Sequence, residues 1–248
     1  MVMKKEDLIL NTIVFKEYLD RGLVQKDLLE LAHSLGVRRV EIRREFIQDL
    51  AGELQSIREK ADQLGIQLFY SVNEDFIVEA AINPLLPQLR EEASILGAPF
   101  VKLNTGDASK ISIETLAKLL PDLQEGVGVR VENNQTPGHA SLKNCSLTMQ
   151  KIKEANLPLS FVFDTGNWAW LGESPLRAEE VLGDYTSYLH CKNYQKTDQG
   201  IGVTSLFKGE IDILAMLTRF KDVDLIALEY PCPIDTLKAD IAKLVGEF

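Results

Sequence analysis

Cysteine is scarce in this chain. Cys145, Cys191 and Cys232 are its only three in 248 residues, an odd number with no CxxC spacing. Neither a disulfide framework nor a cysteine zinc site is expected from them. Long apolar runs are missing too, and none approaches the roughly 18–20 residues of a membrane span. The opening MVMKKEDLIL lacks the apolar stretch and small-residue cleavage site of a secretory signal. No membrane partner is expected, and the expected address is the cytoplasm. Positive charge is in deficit: 27 Lys and Arg against 37 Asp and Glu leave a formal charge of −10. That balance argues against a nucleic-acid backbone or an anionic membrane as the main partner. No GxGxxG or GxxxxGK[ST] follows a strand-like run, and no Pro-, Gly- or Ser-rich linker marks a boundary.

Short apolar runs alternating with amphipathic stretches are what the chain does have. The runs lie at 8–15, 38–46, 66–73, 99–106, 128–135, 159–166, 187–193 and 224–231. Helix-like segments stand between them at 26–36, 52–65, 84–97, 113–123, 146–156 and 210–220, several ending in Gly or Asn, the usual helix stop. Strands alternating with helices imply parallel β-α units. Eight strands at about 31 residues each match the cadence of a (β/α)8 TIM barrel. The expected fold is α/β, one TIM-barrel domain over residues 1–248, with a doubly wound open sheet as the alternative.

In such a barrel the active site lies at the C-terminal ends of the strands. The fifth strand, VRVEN, ends on Glu132 and the sixth, FVFD, on Asp164. The seventh carries His190 near its end, and the eighth, LIALEYP, ends on Glu229. Alternation lets these four point inward while Val131, Phe163, Leu189 and Leu228 face the helices. Taken singly, each acid would more often start a loop or cap a helix, and a lone histidine is more often a hydrogen-bonded core residue. The case rests on four in register on adjacent strands. Converging carboxylates would repel and raise one another's pKa values, a conflict that one divalent ion removes. Oxygen-rich ligands with one imidazole suit Mn2+, Mg2+, Co2+ or Zn2+.

VENNQTP (131–137), FDTGNWAW (163–170), YLHCK (188–192) and IALEYP (226–231) together resemble the xylose-isomerase-like superfamily of sugar and sugar-phosphate isomerases and epimerases, which also contains endonuclease IV. Within it, the four stretches together look similar to the subgroup described as an epimerase of 2-ketogluconate utilisation. The resemblance spans nearly the whole chain. It implies a metal held by Glu132, Asp164, His190 and Glu229, with Glu132 and Glu229 exchanging protons on opposite faces of a planar enediolate. Barrels of this kind often pair, so a homo-oligomer fits the resemblance. Two positions depart from the pattern: Asn167 stands where many members carry His, and Asn193 where many carry Asp. Asn can hydrogen-bond a sugar hydroxyl but cannot titrate.

Remaining strand-end residues supply candidate substrate contacts. Lys192 shares the parity of His190, Lys102 and Asn104 share a face, and so do Glu41 and Arg43. Bases in an acidic chain suit a sugar carboxylate or phosphate; the competing role for each is a salt bridge within the barrel or a snorkelling surface base. Asn167 and Asn193 join them as candidates. Trp168 would either wall the sugar or plug the barrel rim. His139 reads as a surface loop residue, His33 as structural, and Cys191, of opposite parity to His190, as core. The leading expectation is a metal-dependent isomerase or epimerase of a small sugar or sugar acid. A dehydratase on the same metal site and a non-catalytic sugar-acid binder are the alternatives. Three histidines cannot build the histidine-rich trinuclear zinc cluster of an endonuclease IV.

Overall fold

A computed structural model describes residues 3–246. Its strands are β1 (Leu8–Asn11), β2 (Arg39–Arg43), β3 (Gln67–Val78), β4 (Ala81–Ile82), β5 (Phe100–Gly106), β6 (Gly128–Glu132), β7 (Ser160–Asp164), β8 (Thr186–Cys191), β9 (Asn193–Thr197), β10 (Gly200–Thr204) and β11 (Leu225–Leu228). Eight of them pair in parallel in the order β2-β1-β11-β8-β7-β6-β5-β3, and a β2–β3 pairing closes the ring. The chain is therefore a (β/α)8 barrel, and every expected apolar run contributes a staff to it.

Alternation sorts each strand between two layers. Val131, Phe163, Leu189, Cys191 and Leu228 join the large cluster packed under the helices. Residues of the other parity, Ile9, Phe69, Phe100, Val162, Tyr188 and Ala227, form a separate apolar plug inside the barrel. Phe100 ties this plug together, its ring 5.6 Å from that of Phe69 and 5.9 Å from that of Tyr188. The plug is the floor on which the polar layer stands.

The outer helices are α1 (Lys16–Asp20), α2 (Gln25–Ser34), α3 (Leu50–Leu64), α4 (Leu86–Leu96), α5 (Ile113–Ala117), α6 (Leu120–Leu123), α7 (Leu142–Glu154), α8 (Pro175–Leu182), α9 (Ile213–Leu217) and α10 (Ile234–Val245). In α4, Leu86, Leu89, Ala93 and Leu96 bury one face at helical spacing. Ser112, Ser141 and Ser174 cap α5, α7 and α8 by accepting from backbone N–H groups one turn on. No helix among the described residues is long and apolar enough to cross a membrane.

Several boundaries differ from expectation for local reasons. The first strand stops at Asn11, whose side chain accepts from Ile13 N at 3.0 Å and turns residues 12–15 into a 3-10 helix. The helix expected over 113–123 breaks into α5 and α6 at Pro121, which lacks the N–H to continue it. The helix expected over 210–220 is only α9, started where Asp212 accepts from Ala215 N. β9 and β10, an antiparallel hairpin on the rim, had no counterpart in the apolar cadence. Past Ser71, β3 runs on to Val78 and pairs with β4. Its Ile77 lies so close to Gly106 that a β-carbon there would sit 2.1 Å from the Ile77 carbonyl oxygen, so glycine is required where β5 ends.

Candidate metal centre

Register brings the four strand-end residues to one level. Asp164 pairs directly with His190 across β7 and β8. Glu132 ends β6 opposite Asn104. Glu229, one residue past β11, donates its N–H to Cys191 O at 3.1 Å and so stays in line with the barrel wall. One ligand atom from each of Glu132, Asp164, His190 and Glu229 lies within 4.8 Å of the others, and all four residues are buried.

Asp164 answers to its surroundings atom by atom. Its Oδ1 accepts from Gly166 N and Asn167 N, both at 2.8 Å, while the Asn133 side chain clasps its backbone N–H and carbonyl. Oδ2 is left facing the centre with no hydrogen bond, 2.9 Å from Lys192 Nζ. Gly166 allows this turn to lie against the next strand end, since a β-carbon there would meet Lys192 Cγ at 3.0 Å and Lys192 O at 3.2 Å. Thr165 completes the seam: its hydroxyl donates to Lys192 O and accepts from Lys192 N.

His190 presents its two nitrogens to different partners. Nδ1 lies 2.6 Å from Glu132 Oε1 and 3.0 Å from Glu229 Oε2. Nε2 lies 3.1 Å from Glu41 Oε1 without reaching hydrogen-bond alignment. Burial disfavours the imidazolium, yet Glu41, Glu132 and Glu229 raise the imidazole pKa well above its ordinary value. Burial also opposes ionisation of the glutamates, and facing cations overcome it. Lys102 and His190 hold Glu132 below the usual carboxylate range, and His190, Lys192 and Arg43 hold Glu229 well below it. For Asp164 burial prevails against Lys192 and pushes the carboxyl up to about 7.

These residues fit a divalent cation. Glu132 Oε1 and Asp164 Oδ2 are buried oxygens with no aligned hydrogen bond, held only by ion pairs with His190 Nδ1 at 2.6 Å and Lys192 Nζ at 2.9 Å, and both lie at the point where the four side chains meet. Buried oxygens without an aligned donor are rare in folded proteins, and a cation at that point would satisfy both. Three oxygen donors and one imidazole form a hard to borderline donor set. Glu41, on the other edge of the ring, accepts from Asn11 Nδ2 at 2.7 Å and Tyr188 Oη at 2.9 Å and is itself fixed. A carboxylate behind a ligand imidazole orients the ring and sets its tautomer.

Above the four lies a cavity of about 460 Å3, lined by Arg43, Lys102, Asn104, Glu132, Asn167, Lys192 and Glu229 together with Asn73 of β3, Gln135 of the loop after β6 and Val203 of β10. Seven of the expected side chains thus line one cavity: Arg43, Lys102, Asn104, Asn167, Lys192, Glu132 and Glu229. Asn167 is already engaged, donating to Asn133 O and accepting from Gln135 Nε2.

Two expected contacts do not reach the cavity. Trp168 is fully buried in the layer between barrel and helices, 5.5 Å ring to ring from Phe163, so it is a plug and not a sugar wall. Asn193 is also fully buried. It donates to Leu206 O and Ile211 O and accepts from Tyr194 N and Ile211 N, a stay for the rim loop whose amide has nothing left for substrate. His139 pairs with Asp75 at 2.9 Å, joining the loop after β6 to the β3 extension. Asn133 and Glu41 had been assigned no role at the metal. Glu41's parity with Arg43 was legible, but its pairing with His190 needed the closed ring.

No protein-family model matches the chain, and no curated protein matches it. Solved structures do. A xylose isomerase domain containing protein from Salmonella typhimurium LT2 aligns with a TM-score of 0.74 at 14% identity, covering 99% of this chain and 98% of that one. The probable 3-DHS dehydratase AsbF from Bacillus anthracis aligns at 0.71 and 16% identity, covering 96% and 98%. The IOLI protein with a bound zinc atom aligns at 0.69 and 18% identity, covering 97% and 98%. Further matches include D-psicose 3-epimerase, a sugar phosphate isomerase/epimerase and a family 2 AP endonuclease. The fold is that of the xylose-isomerase-like TIM barrels. At these identities the likeness concerns the fold and leaves the reaction to the site.

Proposed function

We propose that the protein is a divalent-metal-dependent isomerase or epimerase of a small sugar or sugar acid. One observation carries this reading: two glutamates, from β6 and from the end of β11, flank Asp164 and His190 in a buried four-ligand cluster that opens into a polar cavity. Glu132, Asp164, His190 and Glu229 would hold the ion. It supplies Lewis-acid polarisation of a carbonyl and stabilises the developing oxyanion.

The chain's own residues do the rest. One glutamate removes the proton from the carbon beside the carbonyl, leaving an enediolate, and the other can return a proton from the opposite face. Return to the same carbon epimerises it; return to the neighbouring carbon isomerises the sugar. Both glutamates are held toward the ionised state that a base needs. Neither Asn167 nor Asn193 can relay a proton, so the exchange falls to the glutamates. A dehydratase sharing the first proton transfer is the second reading, favoured by the structural match to AsbF.

Solvent deuterium uptake tests the proposal. Protein of measured metal content is incubated with ketoses, sugar phosphates and keto sugar acids, with 2-ketogluconate among them because of the sequence resemblance. Metal-dependent uptake at one carbon beside a carbonyl is the expected result. Loss of water from a substrate would establish the dehydratase. No exchange with any member of the panel, on protein carrying a full equivalent of metal, would overturn the enediolate reading.

A further inference from the structure

We propose that Ile13, Val203 and Pro231 form a specificity subsite at the cavity rim, and that it selects a deoxy sugar or deoxy sugar acid, one whose far end carries hydrogen where common sugars carry a hydroxyl. This rests on the metal reading above and adds the shape of the substrate to it. Among the described residues that line the cavity, these three are apolar. They come from three neighbours in the ring: Ile13 follows β1, Pro231 follows β11, and Val203 lies in the β9–β10 hairpin that follows β8. Val203, 37% exposed, and Pro231, also exposed, present apolar surface that the described chain does not cover.

The opposite arc is built of amides. β3, β5, β6 and β7, four neighbours in the ring, bring Asn73, Asn104, Asn134, Gln135 and Asn167 to the cavity. Four of these side chains keep an amide end with no hydrogen bond among the described residues. Asn73 and Asn104 are joined only to each other, Asn134 accepts only from Thr136 N, and Gln135 donates only to Asn167. The spare ends can serve substrate hydroxyls. The floor between the arcs is charged, and there Arg43, Lys102 and Lys192 are taken by Glu229, Glu132 and Asp164.

The apolar arc has little to give a hydroxyl. Pro231 has no N–H, and the N–H of Ile13 is already donated to Asn11 Oδ1. A hydroxyl pressed against this arc gives up water without a new partner, whereas a methyl or methylene gains apolar contact. Ile13 stands two residues beyond the end of β1 and Pro231 two beyond Glu229, so the arc lies outward of the metal level. A sugar held by its carbonyl at the metal brings its far end to the arc and its middle hydroxyls to the amides. Val203 belongs to the rim hairpin and not to the barrel wall, so it can set specificity without disturbing the closed ring.

The test is equilibrium binding of two pairs of alditols, L-fucitol with galactitol and L-rhamnitol with L-mannitol, to protein carrying one measured equivalent of Mn2+. The members of a pair differ by one terminal hydroxyl, and none has a carbonyl, so none can turn over. The deoxy member of at least one pair should bind roughly 10-fold more tightly, the scale of a hydroxyl left unpaired against an apolar wall. Val203→Thr keeps the shape and strand preference of valine and adds a donor and acceptor. In that variant the preference should fall severalfold while Mn2+ uptake stays that of the parent. Asn73→Ala should weaken both members of a pair alike, because the hydroxyls it serves are shared. Equal or tighter binding of the hydroxylated member in both pairs, or a preference undiminished in Val203→Thr, overturns the subsite and leaves the metal reading intact. Loss of the preference in Asn73→Ala would place selection on the amides and overturn it likewise. Binding of no alditol also overturns the subsite, and deuterium uptake into a hydroxylated sugar then separates that failure from failure of the enediolate reading. A folded protein that takes up no Mn2+ overturns both readings together.

Discussion

Glu41 stands across the His190 ring from Glu132 and Glu229, its Oε1 3.1 Å from Nε2. Asn11 and Tyr188 donate to its two oxygens and hold it there. Glu41→Gln should weaken metal binding by roughly 10–100-fold, the usual loss when the partner of a ligand imidazole is changed. Competition with a chelator of known affinity measures it. Unchanged affinity would show that packing against the Tyr188 ring, 4.7 Å away and perpendicular, orients the imidazole alone.

Asp164 divides its work between two oxygens, one for the turn and one for the centre. In Asp164→Asn the amide oxygen can keep the bonds from Gly166 N and Asn167 N, but the amide nitrogen would face Lys192. Metal content should fall while the circular dichroism spectrum stays native. Asp164→Ala removes both functions and should also lower stability by about 1–3 kcal/mol, since two buried N–H groups lose their acceptor. Denaturant titration of both variants separates turn from site.

Trp168 belongs to the core, so its removal should act on stability. Trp168→Ala should cost about 3–5 kcal/mol in urea unfolding. Its folded fraction should bind sugar ligands like the parent. A selective loss of ligand affinity in a variant of unchanged stability would return Trp168 to the cavity wall.

Asn193→Asp restores the residue that many barrels of this resemblance carry, yet the structure argues against any gain. The carboxylate would face the carbonyls of Leu206 and Ile211, two acceptors that now receive the amide N–H groups. A loss of about 1–3 kcal/mol is expected from the stranded acceptors and the repulsion. Raised activity at unchanged melting temperature would contradict this placement.

Glu92 joins α4 to the barrel through Arg44 and Tyr70, and accepts from Gln88 one turn back in its own helix. Burial opposes its ionisation, but those three hydrogen bonds outweigh it and hold the carboxyl below its usual value. A depressed carboxylate pKa contributes stability that is full above the unfolded value, about 4.3, and is lost as pH falls through the folded value. Glu92→Gln should therefore flatten the acid limb of the stability–pH curve below about pH 4.5, with the neutral-pH stability reduced. An acid limb identical to that of the parent would place the proton uptake elsewhere.

The barrel and its four convergent side chains were legible because both follow from a period of two. Alternation along VRVE, FVFD, YLHC and IALE is local, so it sets which residues face inward before any partner is known. The cadence of strand and helix then limits how such strands can close. Parity placed Glu132, Asp164, His190 and Glu229 inside, and the register of the closed ring put their atoms together. It also put Cys191 outside, in the layer under the helices.

Beyond the strand ends that local rule lapses. Trp168 and Asn193 sit on turns, where the direction of a side chain depends on which distant segment covers it. Trp168 met Phe163, and Asn193 met the loop around Leu206 and Ile211. Glu41 lies 149 positions from His190 in the chain, and only closure of the ring through β1 and β11 brings the two together. The pairing of each carboxylate with its own base was undecided for the same reason. A side chain's parity is set by its own strand, whereas its partner is set by strands that the sequence separates and the barrel rejoins.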